Sequence, residues 1–250
     1  NLFSIWLGHL HEANKDREQQ NIGLRRFLEE HEVSRPLTSR VLRCFRSNYH
    51  AHQRRTHEGD VEFLRDLPVG LKICLRVEVF MPVLKKHPFF TFMSKSNPIL
   101  PVMITYCAMR EDRHLAGEVI FTENTPAKHM LHVLTGRLDY YAVQGAMGVT
   151  KLQAGDWALE PALWMRWTCQ GRLVTEITSE LVSVDVEKFM AIMHHVRAKG
   201  EDVDSVKHFA QSVCDHFCSF CSSSDLWGDA PEIQELGDEI LASGAPSDSS

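Results

Sequence analysis

Residues 130–143 read Met130-Leu131-His132-Val133-Leu134-Thr135-Gly136-Arg137-Leu138-Asp139-Tyr140-Tyr141-Ala142-Val143. Two runs of β-branched, aromatic and aliphatic residues flank a Thr-Gly step. That is the pattern of two short strands, 130–135 and 137–143, joined by a tight turn. Working outward, similar runs recur at 99–109, 118–122, 149–152, 173–177 and 180–185. Turn residues separate them at Asn124-Thr125-Pro126, Gly145 to Gly148 and Ala154-Gly155-Asp156. The spacing predicts a small antiparallel roll.

Helical periodicity brackets this region. Ile22, Leu24, Phe27 and Leu28 form an apolar stripe within 19–30. Ser34-Arg35-Pro36 reads as an N-cap with a first-turn proline, opening a helix to about residue 55. A short helix is expected after Gly59-Asp60, a longer one from Leu71 to Lys85 and another short one from Phe89. After the strands, 186–198 and 203–220 return to helical period. The segment from 221 onward is rich in Ser, Gly, Asp and Glu, and disorder is expected over most of it. Ile233, Leu236, Ile240 and Leu241 suit one weak helix there.

The formal net charge of −6 in 250 residues carries no nucleic-acid signature. Eight arginines cluster between Arg25 and Arg55, so this stretch could face anionic lipid or acidic protein surfaces. Seven cysteines at irregular spacing disfavour a secreted disulfide scaffold. Asn1 to Leu10 is mildly apolar and has two readings, the inner end of a spanning helix or an ordinary amphipathic start. Cys214, Cys218 and Cys221 fall at the spacing of a helix packing stripe, and His216 points elsewhere, so no metal is expected. The remaining histidines form no protease or triad pattern, and no phosphate-binding glycine loop is present, so no enzyme is expected.

Several local patterns occur in a familiar order. They are Leu24-Arg25-Arg26-Phe27-Leu28, Val33-Ser34 with Leu37, Val41 and Leu42, Leu67-Pro68-Val69-Gly70-Leu71-Lys72, Pro82-Val83-Leu84 and Pro88-Phe89-Phe90. Within the strands they are Gly117-Glu118-Val119-Ile120, Met130 to Gly136, Leu152 with Gly155-Asp156, and Leu181 to Phe189. Over residues 1–220 the chain resembles the cytosolic C-terminal region of cyclic-nucleotide-gated, hyperpolarisation-activated and ether-à-go-go-like potassium channels. The resemblance implies an α+β fold, a helical C-linker followed by an antiparallel, jelly-roll-like cyclic-nucleotide-binding roll with flanking helices. It divides the chain into the end of a pore or pre-linker helix (1–19), the linker (20–87), the nucleotide-binding-like domain (88–220) and an acidic tail (221–250). It also implies a membrane protein with this region on the cytoplasmic side. Its partners would be an upstream pore domain and further copies of the chain, met through linker residues such as Arg25, Arg26, Phe27, Arg40 and Arg43.

Members that bind cAMP or cGMP carry Phe-Gly-Glu after the Gly-Asp turn, then Arg with Thr or Ser, then Ala. The glycine bares backbone amides for the cyclic phosphate, the arginine offsets its charge and the glutamate accepts from the ribose. Here Gly155-Asp156-Trp157 leads into Ala158-Leu159-Glu160, with Leu159 at the glycine position and Glu160 at the ribose acid. Cys169, Gln170 and Gly171 fall at the arginine, threonine and alanine positions, and Arg166 and Arg172 could substitute only in a rebuilt loop. Losing an arginine that pairs a buried phosphate removes about 2–5 kcal/mol, roughly thirtyfold or more in affinity. The expectation is therefore a gating and assembly module whose nucleotide site is degenerate and which holds no cofactor. The alternatives are a working cAMP or cGMP sensor, and a regulatory or scaffold protein with the same roll. Trp157, Trp164 and Trp167 either fill the vacated pocket or a partner surface, or pack in the core.

Overall fold

Pro36 stands in the first turn of a helix, where a missing N–H leaves no bond unmade. The computed structural model describes residues 18–49, 56–142, 148–200, 203–219 and 224–226, with 235, 238 and 239. Helix α1 covers 18–30, and α2 covers Arg35–Tyr49. The Thr38 amide and hydroxyl donate to the Ser34 and Val33 carbonyls at the start of α2. Two 3-10 turns, Glu58–Asp60 and Glu62–Arg65, lead to α3 (Val69–Leu84), α4 (Pro88–Ser96) and α5 (Ile99–Cys107). Arg76 on α3 ties the first 3-10 turn to the C-terminal end of α5 and the residues just beyond it. Its Nε donates to the Thr105 carbonyl at 3.2 Å, and its terminal nitrogens reach Glu58 and the Met109 carbonyl.

Residues 99–109 are a correction. The run expected as a strand is helix α5, and the first strand is β1 (Met109–His114). Pro101 lies in the first turn of α5, and the buried set Leu100, Pro101, Ile104 and Thr105 has helical spacing. β1 has no strand signature in the sequence because Met-Arg-Glu-Asp-Arg-His buries only its methionine. It is an edge strand without an apolar face.

Seven further strands complete the set: β2 (Val119–Phe121), β3 (His129–Thr135), β4 (Arg137–Ala142), β5 (Val149–Gln153), β6 (Trp157–Ala158), β7 (Gly171–Thr175) and β8 (Ser179–Asp185). They make two antiparallel four-stranded sheets, ordered β1-β8-β3-β6 and β2-β7-β4-β5. The result is a mixed α and β fold with two antiparallel sheets. Neither ladder closes into a barrel among the described residues. At the β3–β4 turn Gly136 has φ +104°, and an added Cβ would lie 2.1 Å from Ser179 Oγ, so both conformation and space demand glycine.

In the first sheet β3 and β8 are buried on both faces. Leu131, Val133 and Leu181 point between the sheets, into a core with Leu138, Tyr140, Leu152 and Leu173. Met130, Val182 and Val184 point the other way, against α4, α5, α6 (Val186–Ala198) and α7 (Asp204–Ser219). Asp185 caps α6 by accepting from the Lys188 amide at 2.9 Å.

The resemblance implied membrane and ion-channel character, and this is corrected. Among the described residues no helix is long and apolar enough to cross a membrane. The stretch 1–10, which prompted part of that expectation, lies outside the described residues, as do the 145–147 part of the glycine turn and most of the expected tail helix.

Phe89 is fully buried, with ring centroids of Trp164 at 4.2 Å, Phe90 at 4.9 Å and Phe209 at 5.2 Å. Phe89→Ala is expected to lower unfolding free energy by about 3–5 kcal/mol, read from the urea midpoint at unchanged slope.

Candidate functional site

The segment between β6 and β7 holds the site, and its backbone is unusual. Gly155 has φ +107°, which lets the chain turn before β6. Leu159 lies beyond β6 at φ +62°, ψ +28°, the left-handed conformation at a position that the resemblance assigns to a glycine. Its side chain is nonetheless buried in the inter-sheet core. Burial of a leucine, about 1.5–3 kcal/mol, outweighs a left-handed penalty of about 1–2 kcal/mol, so the turn survives without glycine. Residues Glu160–Leu163 then form one 3-10 turn.

Asp225, from the tail where disorder was expected, sits inside this segment with no solvent exposure. The Gln170 amide donates to both of its carboxylate oxygens at 2.9 Å, and the Gly171 amide donates to Oδ2 at 2.9 Å. Trp167 Nε1–H donates to Oδ1 at 2.7 Å, and the Tyr140 hydroxyl to Oδ2 at 3.0 Å. The backbone is gripped as well. The Leu159 amide donates to the Asp225 carbonyl at 2.8 Å, and the Asp225 amide donates to Tyr140 Oη at 3.2 Å. Leu226 packs against the inter-sheet core. A buried carboxylate is thus met by neutral donors, with no cation among them. Burial, and then the neighbouring carboxylate, push the Tyr140 hydroxyl up to about 12, so it remains a donor.

The expected site residues take different places around this carboxylate. Gln170 and Gly171 supply amides, while the Gln170 side chain turns away to the Thr168 carbonyl. Cys169 is buried core, and burial pushes its thiol up. Arg166 is exposed, and Arg172 lies over the Tyr141 ring at 5.0 Å; neither reaches Asp225. Glu160 is buried at 3% exposure, with Oε2 3.4 Å from His87 Nε2 on the approach to α4. The tryptophans divide. Trp167 holds the carboxylate, while Trp164 packs edge-on to Phe89 and Trp157 packs against His132 and His87. Arg25 and Arg26 bond within α1 to Asn21 and Glu30, and Phe27 stays 56% exposed beside His31. Arg40 and Arg43 are exposed on α2.

Asp225 had no signal in the sequence. Its partners lie 54 to 85 positions upstream, and nothing local marks one acid among seven in the tail. A cavity of about 420 Å³ between the β1 and β2 edges reaches the backs of Leu159 and Cys169. On its rim Arg110 pairs with Asp112, His114 with Glu118 and His129 with Asp185, and Lys128 adds a further positive charge. No metal-holding cluster occurs among the described residues. A scan of family models finds no match to the chain, and neither does a search of curated proteins.

Gly171 is fixed by space. An added Cβ would lie 2.5 Å from the Tyr141 carbonyl and 2.7 Å from the Tyr140 ring. The alanine of the nucleotide-binding pattern does not fit here. Gly171→Ala is expected to displace Tyr140, free Asp225 and shift the Trp167 indole N–H resonance toward its solvent-exposed position.

His132 faces the helices with its ring 4.2 Å from Trp157. Burial first, then the positive Lys86, lower its proton affinity to about 4, against 6.5 when unfolded. Between those values the unfolded chain binds the extra proton, so stability is complete above pH 6.5 and declines as pH falls toward 4. The loss should reach roughly 3 kcal/mol. Unfolding midpoints measured from about pH 7.5 down to about pH 4 should show this slope, reduced in His132→Gln.

Proposed function

We propose that this chain is a regulatory or scaffold protein built on a jelly-roll-like, cyclic-nucleotide-binding type of roll whose ligand site is held by its own residue 225. One observation carries the reading. The amides of Gln170 and Gly171 stand where the resembling domains hold a cyclic phosphate, and here they hold the Asp225 carboxylate. A free nucleotide would have to displace an anion already served by four donor groups. It would find no arginine in exchange, since Cys169 occupies that position. Glu160, the acid that would meet a ribose, has Oε2 3.4 Å from His87 Nε2 on the helix side.

The occupied state joins three parts of the chain, the tail, the turn between β6 and β7, and strand β4 through Tyr140. Release of the tail would leave the amides, the indole and the phenol without acceptors. Docking and release are therefore coupled to the order of this turn. The linker side supplies surface for a partner. Ile22, Phe27, Leu37, Phe63, Val69 and Leu71 are each about half exposed or more.

Calorimetry of the intact chain with cAMP and cGMP tests the reading. No saturable heat is expected for the wild type, and Asp225→Ala should move the Trp167 indole resonance while gaining at most millimolar nucleotide affinity. Micromolar binding to the wild type that Glu160→Ala abolishes would overturn the reading in favour of a nucleotide sensor.

A further inference from the structure

One row of paired residues crosses the first sheet from its exposed edge to the core. Arg110 on β1 pairs with Ser183 on β8, and Ser183 with Leu131 on β3. Residues directly opposite on paired strands share a face, so a charge, a hydroxyl and a leucine stand side by side in that order. The row forms one wall of the cavity of about 420 Å³. Ile120 and Phe121 of β2 line it from the second sheet, and the connection 122–128 supplies much of the rest. Three backbone bonds of 2.9 Å tie that connection down: the Asn124 amide donates to the Cys169 carbonyl, the Cys169 amide to the Thr125 carbonyl and the Ala127 amide to the Trp167 carbonyl. The cavity is a formed space rather than a gap between loose parts. None of the four donors to the Asp225 carboxylate lines it.

Its two ends differ in chemistry. Phe121, Ala127, Leu131 and Leu159 make the inner end apolar. At the mouth Arg110 is oriented through one edge only. Its Nε donates to Asp112 Oδ2 at 2.7 Å and to Ser183 Oγ at 3.1 Å, and Ser183 Oγ donates to the same Asp112 oxygen at 3.1 Å. The two terminal guanidinium nitrogens make no bond among the described residues. Lys128 lines the same mouth and pairs with no acid among the described residues. His129 stands between them. Burial first, and then the positive Arg110, hold its proton affinity below 6.5; Lys128 acts in the same direction, and Asp185 and Asp112 oppose them. Two cations face one acid that already accepts two hydrogen bonds, so the mouth is net positive above an apolar interior.

That combination suits an amphipathic anion. A carboxylate replaces water on the free edge of Arg110 and on Lys128, and an apolar body covers carbon that is otherwise wet. We infer that this cavity is a binding site for a small organic carboxylate with an aromatic or aliphatic body, about 15 to 20 non-hydrogen atoms in all. The bound molecule lies against the side chain of Leu159, whose amide holds the Asp225 carbonyl from the other side. The inference does not depend on what fills the Asp225 pocket.

Biphenyl-4-carboxylate tests it, with biphenyl-4-methanol as the uncharged counterpart. Each is titrated into the full chain while binding heat and the ring resonances of His129 and His114 are followed. The acid should bind saturably with a dissociation constant on the order of 100 µM, and the alcohol at least about fivefold more weakly. Arg110→Gln and Lys128→Gln should each bring the acid toward the alcohol's affinity and leave the alcohol unchanged. A carboxylate beside His129 favours the charged ring, so affinity for the acid should rise as pH falls from about 7.5 to about 5.5 while that for the alcohol stays level. Ala127→Phe, which fills the inner end, should abolish binding of both. Arg110 and Lys128 are exposed, so their variants decide the matter even where Ala127→Phe fails to fold. Equal affinity for acid and alcohol would overturn the inference, as would the absence of a saturable shift at His129. Shifts confined to the Trp167 indole would overturn it too, since they place the ligand in the Asp225 pocket.

Discussion

A carboxylate taken wholly out of water loses several kcal/mol of hydration unless donors or cations replace the water. Asp225 is in that position, and the chain meets it with two backbone amides, an indole and a phenol rather than with a cation. Those four groups come from β4 and from the segment running into β7. Their convergence requires Gly171 to sit directly against the Tyr140 ring. The left-handed Leu159 requires the same thing of the other side, turning its amide onto the Asp225 carbonyl. The site is thus over-determined by the packing of neighbouring strands, which is why a residue so unsuited to the conformation is held there.

The first sheet transmits this arrangement to the helices. Its strands β3 and β8 are buried on both faces, so each of their residues has a fixed side to serve. On β3, Leu131 and Val133 close the space in which the tail docks, while Met130 and His132 face α4 and its surroundings. Trp157 and Glu160, on the helix side of the same segment, meet His87 at the approach to α4. A change in the turn therefore meets His87 and α4 through buried contacts rather than across solvent.

Much of the architecture is legible in the residues because it rests on local pattern. The β3–β4 hairpin, the proline-led starts of α2 and α4, and the strand-to-helix passage at Asp185 follow from turn chemistry and periodicity. The pattern misled where local and tertiary demands diverged. Residues 99–107 are apolar enough for a strand, yet a first-turn proline and burial at helical spacing make a helix, while polar β1 is a strand through pairing with β8 alone. The candidate site was legible in part. Gln170 and Gly171 were placed at an anion position by resemblance, but what fills it was not, because its recognition is wholly non-local. The lost arginine suggested a site unable to hold an anion. The amides alone had kept that capacity, and Trp167 and Tyr140 complete it.

The tether between Gly171 and Asp225 spans 54 positions. A ligand attached by such a span samples its site at a local concentration on the order of millimolar, whatever its abundance in the surroundings. Dilution cannot empty the site, and a dissolved competitor must outbid a rival that never diffuses away. Tension, bending or capture of the final helix and tail can empty it at once. The turn between β6 and β7 then answers to where the chain's own tail is held rather than to what is dissolved around it.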